Sequence, residues 1–182
     1  MRRLGSILAT VVLFCGLLSP EIEAKNVYQE PEEFINEVFH GVSPQLKRLW
    51  IKKDLKQSIN NILGHDLPLL RIRYWQHQQR TAWILEEIGK SEPITLGFVV
   101  NDGQLELTRV LIFRESRGWE IRHPFFTDQY KNAVLKSNSE LDRHIDGISG
   151  ATLSVSAVNK LARLALMLHQ HSDAVREDGA VK

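Results

Sequence analysis

Apolar and polar residues alternate through much of residues 69–115, and this period of two constrains the fold more than any other feature of the chain. A β-strand points successive side chains to opposite faces, so alternation indicates strands with a buried face. The pattern predicts four strands, at residues 70–75, 81–88, 93–100 and 105–115. Asn101-Asp102-Gly103 is a strong hairpin signal between the last two. Short connections between consecutive strands predict an antiparallel sheet.

Helical periodicity flanks the predicted strands. We expect a helix around residues 34–39, one or two helices within residues 45–63, and a short helix at residues 128–136 with Phe126, Tyr130 and Val134 facing inward. The longest helix is predicted at residues 153–170, where the apolar residues share one face. The fold class is therefore α+β: an antiparallel sheet of about four or more strands, with helices packed on one side.

The N-terminus resembles a secretory signal peptide. Arg2 and Arg3 precede an apolar run at residues 7–18, and the small residue Ala24 follows it. We expect cleavage near Ala24, a periplasmic mature protein and no transmembrane segment in that mature chain. The remaining boundaries are an N-terminal helical segment at residues 25–68, a domain at residues 69–171 and a flexible tail at residues 172–182. The only cysteine, Cys15, lies in the leader.

Composition and charge exclude some function classes. The formal net charge of +1 gives no support for nucleic-acid binding. The seven histidines lie mostly in separate elements, so we expect no metal site. A basic cluster in the second helical region would suit an anionic membrane or an acidic partner, but a solvated helix face is the simpler explanation. This cluster consists of Lys47, Arg48, Lys52, Lys53 and Lys56.

A glycine-rich segment immediately precedes the longest predicted helix. Its sequence is Asp146-Gly147-Ile148-Ser149-Gly150-Ala151-Thr152. Free backbone N–H groups and the positive end of the helix dipole attract a phosphate at such a position, and Thr152 adds a hydroxyl. A second interpretation is that the glycines form a turn, that Thr152 or Ser154 caps the helix, and that nothing binds. Spacing leaves both interpretations open.

The same segment resembles the Asp-Gly-x-Ser/Thr-Gly-Ala-Thr signature of the FMN-binding domain family, which includes the flavin-carrying subunits of sodium-translocating NADH:quinone reductase and of Rnf complexes. The resemblance extends over residues 81–170. It implies FMN joined through its phosphate to the Thr152 hydroxyl as a phosphoester, made outside the cytoplasm by an ApbE-type flavin transferase.

The resemblance also assigns roles to individual residues. Ser149, Gly150, Ala151 and Gly147 would surround the phosphate, and Leu153 would touch the flavin or its ribityl chain. Asp146 would be recognised by the transferase, or would simply cap the loop. A flavin ring needs a flat apolar wall, for which we expect Trp119 or Phe126.

The leading hypothesis is an exported electron-transfer flavoprotein that carries covalent FMN and relays electrons to or from a membrane or periplasmic redox partner. An electron carrier is expected in preference to a stand-alone oxidoreductase. The alternative is a non-redox exported binding or assembly module that holds a phosphate-bearing ligand non-covalently. A third hypothesis is a membrane-surface protein built on the basic N-terminal helix.

Overall fold

The structure is a computed structural model that describes residues 26–174, so the predicted leader and residues 175–182 lie outside it. Its centre is a five-stranded sheet in the order β1-β2-β3-β4-β5, with all neighbours antiparallel. The elements in chain order are α1 (Pro31–Val38), β1 (Gln45–Trp50), α2 (Lys53–Leu63), β2 (Arg71–His77), β3 (Arg80–Ile88), β4 (Pro93–Asn101), β5 (Gln104–Phe113), a 3-10 turn (Trp119–Arg122), α3 (Pro124–Thr127), a second 3-10 turn (Asp128–Tyr130) and α4 (Thr152–Gln170).

The four predicted strands are confirmed as β2 to β5, and the predicted hairpin joins β4 to β5. Asp102 and Gly103 form its turn with φ angles of 49° and 72°. Positive φ at both central residues gives a turn whose twist matches that of the flanking strands. The α+β prediction is confirmed as well, with the glycine-rich segment at the N-terminus of the longest helix.

Strand β1 corrects the prediction of helix throughout residues 45–63. Residues Gln45–Trp50 form an edge strand that pairs along its whole length with β2. Leu49 is the only residue of this strand that is buried, so the strand lacks the alternation that marks a half-buried strand. Helix starts only at Lys53. The sheet thus crosses the domain boundary expected at residue 69.

Helices cover both faces of the sheet, which corrects the expectation of helices on one side. Helix α1 packs Phe34 and Ile35 against one face, while α2 and α4 pack on the other. The cause is β4, in which seven consecutive residues are buried, so both of its faces need cover. Gly97 provides the space for α1, because a Cβ there would lie 2.6 Å from the Phe34 ring.

The C-terminal end of α4 is fixed by hydrogen bonds to the sheet. His169 is 1% exposed, and its Nε2 accepts a hydrogen bond from the Gly103 N–H at 3.3 Å. The neutral ring therefore carries its proton on Nδ1 and donates it to Thr81 Oγ1, 2.8 Å away. Burial lowers the pKa of His169 to about 4. The ring thus joins α4 to β3 and to the β4–β5 hairpin.

Residues 172–174, the described part of the predicted flexible tail, pack against the fold, which corrects the prediction for these three residues. Ser172 and Ala174 are buried, and the Ser172 hydroxyl donates to the His169 carbonyl at 2.6 Å. Asp173 forms an ion pair with Lys47 of β1 at 3.5 Å. Among residues 26–174, no helix is both long and apolar enough to cross a bilayer.

Candidate functional site

The N-terminus of α4 has no side-chain cap. Thr152 is the first helical residue, and the N-cap position belongs to Ala151, whose methyl group cannot accept a hydrogen bond. The first backbone bond of the helix runs from the Val155 N–H to the Ala151 carbonyl at 2.9 Å. The capping role considered for Thr152 or Ser154 is therefore wrong. The first N–H groups of a 19-residue helix remain without a side-chain acceptor, at the positive end of its dipole.

The segment from Asp146 to Ala151, called the signature loop below, is held by apolar residues and exposes its polar ones. Ile145 is buried just before it, and Ile148 packs against the core. The Ala151 N–H donates to the Ile148 carbonyl at 3.0 Å and closes a turn. Gly150 lies within this turn at φ +81°, a conformation that glycine adopts without strain. Asp146, Gly147, Ser149 and Gly150 are exposed.

Residues 124–134 brace the signature loop. This segment is helical at Pro124–Thr127 and Asp128–Tyr130, earlier than the helix predicted at residues 128–136, and Phe126 and Tyr130 face inward as expected while Val134 is only half-buried. The Gln129 side-chain oxygen accepts a hydrogen bond from the Asp146 N–H at 2.7 Å. The Arg143 guanidinium donates to two carbonyls of the same segment at 2.8 Å each. These bonds set where the loop begins.

Thr152 combines exposure with its position at the helix end. It is the only exposed threonine among residues 26–174; the other four are buried at positions Thr81, Thr95, Thr108 and Thr127. Its neighbour Leu153 is 52% exposed, although leucine is usually buried. Both residues precede the buried face of the helix, which begins at Ser154. A hydroxyl and an apolar side chain thus stand together at the uncapped helix end.

The Asp146 carboxylate is exposed. Its side chain is 86% exposed, and the His144 ring lies beside it, with Nε2 3.8 Å from Oδ1. In the described part of the chain this carboxylate accepts no hydrogen bond, so it does not cap the loop. The alternative role considered for Asp146 is thus not observed, and its carboxylate is available to another molecule.

Gly118 brings Trp119 to the signature loop. A Cβ on Gly118 would lie 2.9 Å from Ser154 Oγ and 3.2 Å from Ala151 Cβ, so this backbone touches the start of α4. Gly118 also has a φ of +87°. Trp119 follows directly and is 43% exposed. Trp119 follows Gly118 and Thr152 follows Ala151, so the contact between Gly118 and Ala151 brings these two positions together.

One cation and one ring contact Trp119, and the same cation also contacts Tyr28. The Arg122 guanidinium lies 5.1 Å from the Trp119 ring centre and 4.5 Å from that of Tyr28. The His123 ring meets Trp119 edge-on, with 5.4 Å between centroids. Sequence inspection missed Tyr28 and Arg122. Tyr28 lies far from the loop along the chain, and no local pattern marks it.

Phe126, the other residue expected to form a wall for the flavin, lies in the core. It is 0% exposed and packs edge-on against Tyr130, with 5.6 Å between centroids. The Tyr130 hydroxyl donates to Asn159 Oδ1 on α4 at 2.7 Å. The structure therefore brings Trp119 and Leu153 to the surface near Thr152, while Phe126 supports the segment from beneath.

Comparison with known protein families finds a match for the segment that contains this site. Residues 89–167 match the model of a family described as the FMN-binding domain. This segment is therefore similar to FMN-binding domains. It contains β4, β5, Trp119, the signature loop and most of α4. No curated protein and no solved structure matches the chain significantly.

The geometry of the matched segment suits FMN as a ligand. The uncapped start of α4 offers N–H donors to a phosphate, as helix N-termini do in many nucleotide sites. The Thr152 hydroxyl lies at the same place, and exposed apolar surface on Leu153 and Trp119 lies nearby. Helix α1, β1, α2, β2 and β3 lie outside the matched segment, so FMN binding is supported for the C-terminal half of the chain.

Proposed function

We propose that the protein is an exported electron-transfer flavoprotein that carries FMN as a phosphoester on the Thr152 hydroxyl. It exchanges electrons with a membrane or periplasmic redox partner after an ApbE-type flavin transferase has attached the cofactor. The observation that carries the proposal is an exposed threonine at an uncapped helix N-terminus inside the matched FMN-binding domain.

Different residues of the site would hold different parts of the cofactor. The N–H groups at the start of α4 would face the phosphate oxygens, and Thr152 Oγ would provide the covalent link. Gly147 and Gly150 have open space where a Cβ would lie, so the transferase could approach the loop closely. Leu153 and Trp119 would cover apolar parts of the cofactor. FMN itself supplies the electron-transfer chemistry.

The Asp146 carboxylate suits recognition before attachment. Because it is exposed and caps nothing, it can face a transferase or the metal ion of that enzyme without disturbing the fold. Export would place the protein where a dissociated cofactor is diluted and lost, which favours a covalent link. The cleavable leader expected in residues 1–24 supports this compartment.

Intact-mass measurement of the mature protein, co-produced with an active flavin transferase, tests the proposal. Wild-type protein is expected to gain the mass of one esterified FMN, and Thr152→Val is expected to gain none. Ser156→Ala removes another exposed hydroxyl on α4 and is the matched control, so it should retain the full increase.

The same experiment distinguishes the alternative function. Unmodified wild-type protein, with the transferase active on a control substrate, would overturn covalent attachment. If Thr152→Val then still bound free FMN, the uncapped helix end would be serving as a non-covalent phosphate site, and the protein would be a binding module. Loss of binding in Ser156→Ala would point to a defect in folding.

A further inference from the structure

Strands β1 and β2 carry a second exposed surface, remote from Thr152. Cross-strand partners share a face, so Arg48 lies opposite Arg73, and Trp50 lies opposite Arg71. The loop before β2 adds exposed apolar side chains at the same end. We call this surface the β1–β2 patch; it consists of Leu46, Arg48, Trp50, Leu69, Leu70, Arg71 and Arg73.

The apolar side chains of the patch are exposed to an unusual degree. Leu70 is 79% exposed, Trp50 58% and Leu69 50%. The backbone joins them, because the Ile51 N–H donates to the Leu70 carbonyl at 3.0 Å. Leu46, also on this face, is 48% exposed. Large apolar groups gathered in this way mark an interaction surface, whereas single exposed ones need no explanation.

The three arginines of the patch have no carboxylate partner. Among residues 26–174, neither Arg48, Arg71 nor Arg73 forms an ion pair, and Arg71 only stacks on Trp50 at 5.6 Å. Arg48 and Arg73 are directly opposite each other, an arrangement of like charges that destabilises a sheet. On the other face of β1, Lys47 has Asp173 as its partner. The patch therefore carries an excess of positive charge, which suits an anionic partner outside the fold.

The order of side chains along the patch favours a lipid surface as that outside partner. Leu69, Leu70 and Trp50 lie at one end of the strand pair. The Arg48–Arg73 pair lies two residues farther along the strands than the Trp50–Arg71 pair. At about 3.3 Å per residue, the apolar end and the cations are separated by roughly 7–10 Å, which is comparable to the depth of the headgroup region. Tryptophan concentrates at that depth, and arginine binds phosphate through its planar fork.

A cleft extends the apolar part of the patch into the molecule. The β2–β3 ladder has only the pairs from Trp75 to His77, and beyond it a cleft of about 1030 Å³ separates the strands. Leu46, Leu69, Arg71 and Arg73 of the patch line this cleft, while Glu32 and Glu86 lie on its α1 and β3 sides. The apolar part of the lining, which includes Ile35 and Leu63, continues from the exposed apolar end of the patch.

We propose that the β1–β2 patch docks the protein on an anionic lipid bilayer. Leu70, Leu69 and Trp50 enter the interface, while Arg48, Arg71 and Arg73 contact lipid phosphates. Leu164 of α4 also lines the cleft, twelve residues after Thr152 and therefore about 18 Å along the helix. Docking through the patch leaves the signature loop free. This inference does not depend on flavin attachment.

Vesicle flotation of the mature full-length protein tests the proposal with two compositions, phosphatidylcholine alone and phosphatidylcholine with phosphatidylglycerol. Binding is expected only to the anionic vesicles and is expected to fall at high salt. The double variant Arg71→Gln/Arg73→Gln should partition roughly thirtyfold less, because each cation near an anionic surface contributes about fivefold. Trp50→Ser/Leu70→Ser should also lose binding.

Matched substitutions elsewhere control for exposure and charge. Phe125 is 65% exposed and Arg117 is exposed, and both lie outside the patch, so Phe125→Ser/Arg117→Gln should float like wild type. Equal binding to neutral vesicles, or equal loss in this control, overturns the proposal. Absence of vesicle binding with patch-dependent binding to polyglutamate also overturns it, in favour of an acidic protein partner. Circular dichroism of every variant verifies folding.

Discussion

Gly118 contributes both to the stability of the fold and to the geometry of the site. Its left-handed φ of +87° would cost a non-glycine residue about 1–2 kcal/mol. Its missing Cβ also leaves room for Ser154 Oγ, 2.9 Å from where that Cβ would lie, and Ser154 is buried. Because this contact joins the Trp119 segment to the start of α4, a methyl group here displaces the site itself.

We therefore expect Gly118→Ala to lower the free energy of unfolding by about 1–2 kcal/mol or more and to reduce the yield of flavin attachment. Denaturant titration and intact mass measure the two effects. Gly41→Ala is the matched control, since Gly41 has a φ of +82° but open space around its missing Cβ. It should show a similar loss of stability with full attachment. Equal attachment yields in both variants would contradict this role.

At the scale of elements, β1 contains a destabilising charge repulsion. The direct Arg48–Arg73 pairing repels, and no carboxylate within residues 26–174 forms an ion pair with either residue. Like charges opposite each other reduce the stability of a sheet by a few tenths of a kcal/mol, up to about 1. Salt screens this repulsion because the side chains face solvent.

Arg73→Gln is therefore expected to raise the free energy of unfolding by about 0.2–1 kcal/mol at low salt, with a smaller gain at high salt. Urea titration at two salt concentrations measures the difference. Lys47→Gln on the other face of β1 is the control and should give no gain, because Lys47 pairs with Asp173. A gain that is independent of salt would show that strand propensity, and not charge, is responsible.

The elements differ in how far the sequence reveals them. Strand β2 and helix α4 repeat a local pattern of burial, so periodicity alone predicts them. Strand β4 is a continuous buried run, and the Asn101-Asp102-Gly103 hairpin signal marks its end. Strand β1 buries only Leu49, and its pairing with β2 depends on contacts that no local pattern contains. The amphipathic character of α1 is visible in sequence, but the face of the sheet that it covers depends on Gly97.

The residues of the site also differ in how far the sequence reveals them. Its motif is continuous in the chain, so Thr152 and the signature loop could be recognised directly. The placement of Trp119 depends on the Gly118 contact with α4 and on Arg122 between two rings, one of which belongs to Tyr28. These contacts join distant parts of the chain. Phe126 and Trp119 could not be told apart by sequence, because both are aromatic residues preceding the loop.

For the whole molecule, buried His169 makes stability depend on pH. Its ordinary pKa of 6.5 applies to the unfolded chain, while burial lowers the pKa in the folded protein to about 4. Between these values the unfolded state binds more protons, so acid favours unfolding. The contribution of this residue is complete above pH 6.5 and is lost as the pH falls toward 4. The difference corresponds to about 3 kcal/mol.

His169→Gln isolates this contribution. A glutamine oxygen can accept from the Gly103 N–H and its amide can donate to Thr81, so the variant retains the bonding pattern without titrating. We expect wild-type protein to lose stability relative to the variant as the pH falls from 6.5 to 4, because the other ionisable groups contribute equally to both proteins. Urea titrations across this range measure the difference. Parallel curves for the two proteins would show that His169 is already protonated when folded, or that it does not titrate in this range. Either result would contradict the claim that protonation of His169 makes stability depend on pH.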